Sequence, residues 1–240
     1  KQLNGVLLSV RGDTLSFVGT DGRRLAIADM LIATHMAGDE NANGRVRWAL
    51  GQEKFEGDII IPASFMATAM KGLSAGDVMT IAFGGGDGGM IAFEMENPTT
   101  GETHCVATKT VEGSYPNYKQ VVPSAPMSDF NVSRRSFLES LSRTTLVMAT
   151  DGHGANVRVC GGDMTIFMSD AMIGDAREIV QIEDNGNDAE RDISFNPLFA
   201  IEALKATDVE KVNVAFNDAN TPIVFTDGPG WKMVMMPMRA

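Results

Sequence analysis

The chain has 240 residues, 44% of them apolar and 21% charged, enough for one large or two ordinary domains with packed cores. No apolar run approaches the ~20 residues of a membrane-spanning helix. The net charge of −11 excludes a broadly basic nucleic-acid surface, so any such contact needs a local reversal of sign.

Most segments read as strands. Residues 6–10 are an apolar run, Gly12-Asp13 is a hairpin signal, and residues 14–18 alternate. Residues 37–44 are small and polar and read as a surface loop in a long connection. Residues 62–73 read as a helix with Pro62 at its first turn. A strand at 78–83 and an apolar strand at 90–93 flank the glycine run 84–89. Residues 111–118 are turn-rich and lead to Pro123, and 123–126 form a short Pro-rich linker. Residues 133–148 read as a helix capped by Ser133, with Phe137, Leu141 and Met148 on one stripe. Strand, turn and strand follow at 156–160, Gly162-Asp163 and 164–167, then a helix at 197–206 and a strand at 212–216. Few helices among many strands give an α+β class.

The pattern repeats. Gly12, Asp13 and Phe17 match Gly162, Asp163 and Phe167 at an offset of 150, and Phe65, Ala69, Lys71 and Val78 match Phe199, Ala203, Lys205 and Val212 at an offset of 134. Two blocks in the same order indicate two copies of one domain, 1–123 and 124–240, with the longer connection in the first.

No constellation nominates chemistry. The glycine run lacks a GK[ST] ending and precedes a strand, so it reads as a hairpin tip. Thr20-Asp21-Gly22, Thr150-Asp151-Gly152 and Thr226-Asp227-Gly228 read as turns. His35, His104 and His153 show no ligand spacing, so no metal is expected. No GxSxG is present, no catalytic residue emerges, and no cofactor is implied. Asn131-Val132-Ser133 is a formal glycosylation sequon, but Ser133 reads as a helix cap. Cys105 and Cys160 have no CxxC spacing and are expected to be buried free thiols in a reducing cytoplasm.

Charge is uneven. The three helices carry Lys71, Arg134, Arg135, Arg143 and Lys205 against Glu139 and Glu202, whereas the whole chain has 20 basic and 31 acidic residues. If they line one surface, it attracts phosphates while the rest repels them; a solvated face with incidental cations is the other reading. The tail from Trp231 to Ala240 is very apolar for a terminus. It reads as a closing strand ended by Pro237, as a Met-rich wall of a peptide groove, or as both, since alternate residues face opposite sides.

Taken together, Leu3-Asn4-Gly5 with Thr20-Asp21-Gly22-Arg23-Arg24-Leu25-Ala26, the Glu112-Gly113-Ser114-Tyr115-Pro116-Asn117-Tyr118 segment, Phe195-Asn196-Pro197 with Ala203-Leu204-Lys205-Ala206, and Val234-Met235-Met236-Pro237-Met238-Arg239 resemble the bacterial DNA polymerase III beta subunit family of sliding clamps. The resemblance covers nearly the whole chain. It implies the DNA-clamp fold, with repeated domains that carry helices on one face and antiparallel sheets. The chain resembles the family's second repeat, lacking its first strand and helix, followed by a complete third; the opening on Lys1 rather than Met fits a missing upstream segment. The resemblance further implies a cytoplasmic homo-oligomeric ring around double-stranded DNA, contacted without sequence reading. Such a ring tethers the replicative polymerase, gives it processivity and performs no reaction of its own. Lys71, Arg134, Arg135, Arg143 and Lys205 would face the DNA.

Polymerase and clamp loader would insert a short peptide motif into a groove between the second and third repeats. Its matching residues are Leu3, Thr20, Gly22, Arg23, Arg24, Leu25 and Pro123 on one side. On the other they are Asn196, Phe199, Pro222, Val234, Met235, Met236, Pro237, Met238 and Arg239. The chain departs from the family at Arg23, where His is usual, at Phe199, where Tyr is frequent, and at Ala240, where Leu is common. These departures bear on peptide preference. The competing reading is a two-domain β-rich small-molecule binder or enzyme.

Overall fold

The computed structural model describes residues 4–32, 46–48 (backbone only), 55–74, 77–84, 89–124, 128–148, 154–185 and 190–238. Leu3, His35, His153, Arg239, the 37–44 loop, residues 85–88, the turn at 150–152 and the 125–126 end of the linker lie outside the described residues. Two compact units emerge: residues 1–22 with 26–117, and residues 23–25 with 118–240. The division after Asn117 comes a few residues before Pro123. No helix among the described residues is long and apolar enough to cross a membrane.

In the first unit, β1 (Gly5–Arg11) pairs antiparallel with β2 (Thr14–Thr20) and β5 (Gly57–Pro62). With β3 (Arg24–Leu31) the sheet order is β3-β2-β1-β5. Gly12 makes the β1–β2 turn at φ 57°, a conformation that a Cβ disfavours. A second sheet runs β4 (Val46–Trp48), β6 (Val78–Gly84), β7 (Met90–Glu96), β8 (Thr103–Lys109). Its β4–β6 pair is parallel and its other pairs are antiparallel. Between β5 and β6 lies α1 (Ala63–Lys71), which buries Ala69 and sets Phe65 5.5 Å from the Phe93 ring. The Tyr115 hydroxyl donates to Val18 O at 3.2 Å, tying the turn-rich segment to β2, and partial burial pushes its phenol pKa up.

The second unit begins with β9 (Asp129–Ser133) and α2 (Arg134–Thr144). It continues through β10 (Ala155–Cys160), β11 (Asp163–Asp170), β12 (Gly174–Asp184), β13 (Arg191–Phe195) and α3 (Pro197–Lys205), and ends with β14 (Lys211–Ala215), β15 (Ile223–Thr226) and β16 (Trp231–Met235). The sheet order is β13-β10-β11-β12-β9-β14-β15-β16. Here β10 pairs with β11 and β13 just as β1 pairs with β2 and β5, so the two units share a strand plan.

Local chemistry sets the helix starts. Ser133 Oγ accepts from Ser136 N, and Asn196 Oδ1 accepts from Leu198 N with Pro197 at the first helical position. Phe137 and Leu141 of α2 are buried, as the stripe predicts. Met148 is not on that helix, because α2 tightens into a 3-10 turn at Thr145–Val147. From α3, Ala200, Ile201, Ala203 and Leu204 enter the same core, where Phe137 stacks on Phe225 with centroids 6.4 Å apart.

The cysteines contradict expectation: both are exposed free thiols. Cys160 falls in the outward phase of β10 with Asn156 and Arg158, while Ala155, Val157 and Val159 point inward.

Two ionic contacts bind α2 and the sheet ends. Arg143 Nε and Nη2 donate to Glu178 Oε1 and Oε2 at 2.9 and 2.7 Å, and Ser140 Oγ donates to Oε2 at 3.2 Å. These bonds hold the Glu178 carboxyl below the usual carboxylate range. Deeper, Arg191 Nη2 meets Asp184 Oδ2 at 2.9 Å with both side chains buried, and its guanidinium lies 5.7 Å from the Phe216 ring. Among the described residues, Arg191 Nε and Nη1 and Asp184 Oδ1 have no hydrogen-bond partner.

Two outcomes follow from these contacts. Arg191→Ala leaves the Asp184 charge buried and alone, so denaturant unfolding should show a loss of about 3–5 kcal/mol, while the Arg191→Met, Asp184→Leu pair should be near neutral. Because its folded pKa is depressed, ionised Glu178 contributes stability above its unfolded pKa of ~4.3 and loses it as pH falls through the folded value. Glu178→Gln should therefore destabilise at pH 7, with the difference fading below about pH 4 in melting curves.

Candidate docking ledge and helical face

The residues from both the TDGxRLA stretch and the tail meet in the second unit. β16 ends at Met235, and Pro237 has no N–H with which to extend it. The next two free amides are used separately: Met236 N donates to Arg23 O at 3.0 Å, and Met238 N to Ser194 O at 2.7 Å. Arg24 places its guanidinium 4.2 Å from the Phe199 ring centroid and also pairs with Glu202. Phe199 and Glu202 lie three residues apart on α3 and so share a side. Glu202 is the residue that sequence reasoning missed here; the helical spacing from Phe199 was the available signal. The β15–β16 register, with Ile223 opposite Met235, carries Pro222 toward the Met236 end.

Burial separates the expected groove residues. Leu25 is 2% exposed, Val234 2% and Met235 0%, so these three belong to packed interior. Met236 is 45% exposed. Phe199, Met238, Pro222, Pro237, Asn196 and Pro123 are half-buried, and Arg23 is exposed. The accessible ledge is therefore Arg23, Arg24, Phe199, Met236 and Met238, apolar with a guanidinium at its rim. Thr20 is half-buried and Gly22 exposed in the β2–β3 turn of the first unit, where Gly22 N donates to Thr20 Oγ1 at 3.1 Å.

The helices are less basic than the residue count implied. In the second unit, α2 and α3 cover one side of the sheet together. Arg134 is spent holding them: Nε donates to Val209 O at 2.9 Å and Nη1 to Leu204 O at 3.2 Å, at the end of α3. Arg135 pairs with Glu139 at 2.8 Å and Arg143 with Glu178. Lys205 is exposed at the end of α3, and Lys71 holds the equivalent place on α1 of the first unit. Among the described residues neither lysine forms an ion pair, so these two carry the uncommitted positive charge.

Comparison with known proteins places this geometry. Residues 119–239, just over half of the chain, match the model of the DNA polymerase III beta subunit, C-terminal domain. The beta sliding clamp of Chlamydia muridarum is 27% identical over 237 residues, covering 99% of this chain and 57% of that relative. The crystal structure of a putative DNA polymerase III beta subunit from Eubacterium rectale superposes with a TM-score of 0.78 at 22% identity, over 99% of this chain and 58% of that one. A DnaN sliding clamp from Pseudomonas aeruginosa, solved bound to griselimycin, has a TM-score of 0.76 at 24% identity, over 100% of this chain and 58% of that one. The chain spans about half the length of the curated relatives it matches. Fold, strand plan and sequence agree, and the chain belongs to the DNA polymerase III beta subunit family.

Proposed function

We propose that this chain serves as part of a replication sliding clamp. It docks partner peptides on the tail ledge, presents its helices to the DNA backbone, and carries out no reaction. The observation that carries the reading is the ledge itself. Arg24 is held between Phe199 and Glu202, with Met236 exposed beside it, in a member of a clamp family. An apolar shelf with arginines at its rim suits a short motif with a Gln and one or two large hydrophobes, and Met side chains let it accept several partners. Polymerase and clamp loader are the partners proposed, and the resemblance gives Leu3, Thr20, Gly22 and Arg239 the same docking role.

Lys71 and Lys205 are the proposed backbone contacts, with Arg135 and Arg143 able to join by exchanging their carboxylate partners. Arg134 holds the helices in place. Ring closure to a further subunit is assigned to β12. Only its end pairs with β9, at residues 182–184, which leaves Gly174 to Gln181 with one partner strand among the described residues. Ile179 on this edge and nearby Leu146 are 57% and 77% exposed, as a strand-pairing interface requires.

Two measurements test this reading. Met236→Ala should weaken a fluorescent peptide carrying a Gln and two large hydrophobes by tenfold or more with an unchanged melting curve. Leu25→Ala should instead lower stability by about 2–5 kcal/mol, since it empties packed interior. Undiminished peptide affinity in Met236→Ala removes the ledge assignment. For DNA, removing both lysines (Lys71→Gln with Lys205→Gln) should reduce the slope of log affinity against log salt by about 2, near 0.9 per phosphate contact. An unchanged slope contradicts the helical face.

A further inference from the structure

The outward face of the second unit's sheet carries a cavity of about 640 Å³, within the ~300–1,000 Å³ range of ligand pockets. Its floor follows from strand register. Asn156 lies opposite both Ser194 and Phe167, and Phe167 opposite Arg177, so Ser194, Asn156, Phe167 and Arg177 form one row across β13, β10, β11 and β12. Arg158 and Asp192 begin the row beside it. Met238 forms one wall, fixed by its bond to Ser194 O. Gly154 permits that closeness, since a Cβ there would come within 2.5 Å of Ser194 Oγ and 3.3 Å of Met238 Sδ.

The two arginines of the cavity differ in their commitments. Arg158 is neutralised, with Nε and Nη2 on Asp192 at 2.8 and 3.1 Å and Nη1 on Glu190 at 3.0 Å. Arg177 is exposed and, among the described residues, forms no ion pair. Beside it, on the neighbouring strand, Phe167 is 38% exposed. Met164, Ile166 and Met168 take the inward positions of β11, so Phe167 is an aromatic ring on the solvent phase, where a polar residue is the norm. Strands about 4.8 Å apart put the ring and the guanidinium within reach of two neighbouring side chains of one bound peptide.

We propose that this cavity is an accessory docking site for partner peptides, in which Arg177 takes a carboxylate side chain and Phe167 the large apolar residue next to it. The inference rests on the docking reading of the tail, because Met238 belongs to both the ledge and the cavity wall. A nucleic-acid strand fits less well. The cavity offers one uncommitted cation, and the net charge of −11 repels a polyanion.

Fluorescence anisotropy of labelled peptides tests it. The reference peptide carries a Gln and two large hydrophobes; two others extend it by Phe-Asp at the N- or C-terminal end; two more carry Phe-Asn instead. One Phe-Asp extension should tighten binding about tenfold, and Phe-Asn should lose most of that gain. Arg177→Gln and Phe167→Ser should each abolish the gain while leaving the reference peptide and the melting curve unchanged. Equal affinity of extended and reference peptides overturns the accessory site and leaves the ledge standing. Failure of the reference peptide itself to bind overturns the ledge, and the accessory site with it. An oligothymidylate that binds through Arg177 and displaces the Phe-Asp extension also overturns the proposal, in favour of a nucleic-acid strand.

Discussion

The strands from β10 to β13 turn alternate residues inward beneath α2 and α3, and the working surfaces of the second unit follow from that phase. Val157, Val159, Met164, Ile166, Met168, Val180 and Ile193 fill one core because each falls on the inward step. The outward step then has to carry Asn156, Arg158, Phe167, Arg177 and Asp192. A slip of one residue in any strand would bury those charges and expose the aliphatic set. The same constraint leaves one sheet face to the helices, which is where the candidate phosphate contacts sit.

Positive charge on the helices divides between architecture and availability. Arg134 satisfies carbonyls at the end of α3, and Arg143 ties α2 to Glu178 on β12. Both therefore position the helical face more than they charge it. Lys71 and Lys205, at the last turns of α1 and α3, keep exposed ammonium groups near helix C-termini. A surface that touches DNA without reading it gains from such contacts, since weak point charges hold the duplex without fixing register. The tail ledge differs in kind: Arg24 is fixed by a ring and a carboxylate, a pre-ordered rim for the proposed partner peptides.

Much of the fold was legible in the sequence because it was written locally. The Gly12-Asp13 and Gly162-Asp163 turns, the Ser133 cap and the Phe137–Leu141 stripe all depend on residues a few positions apart. What escaped depends on distant partners. Glu178 lies 35 residues from Arg143, and nothing near Arg134 announces the Leu204 carbonyl. The cysteines were misplaced because composition does not reveal strand phase. The resemblance supplied the candidate ledge, yet it could not separate interior residues such as Leu25 and Met235 from exposed Met236, since burial is set by the packed neighbours. Phe167 and Arg177 are adjacent only through register.

In the proposed clamp role the protein acts by staying on DNA while partners use its ledge. The most direct measurement is retention. The natural protein that carries this chain would be loaded onto nicked circular plasmid and separated from free protein by gel filtration, before and after a single restriction cut. Encirclement predicts stable retention on the circle at elevated salt and loss within the time of the experiment once the DNA has ends. Equal retention on circular and linear DNA, or release from both at the same salt concentration, would contradict it.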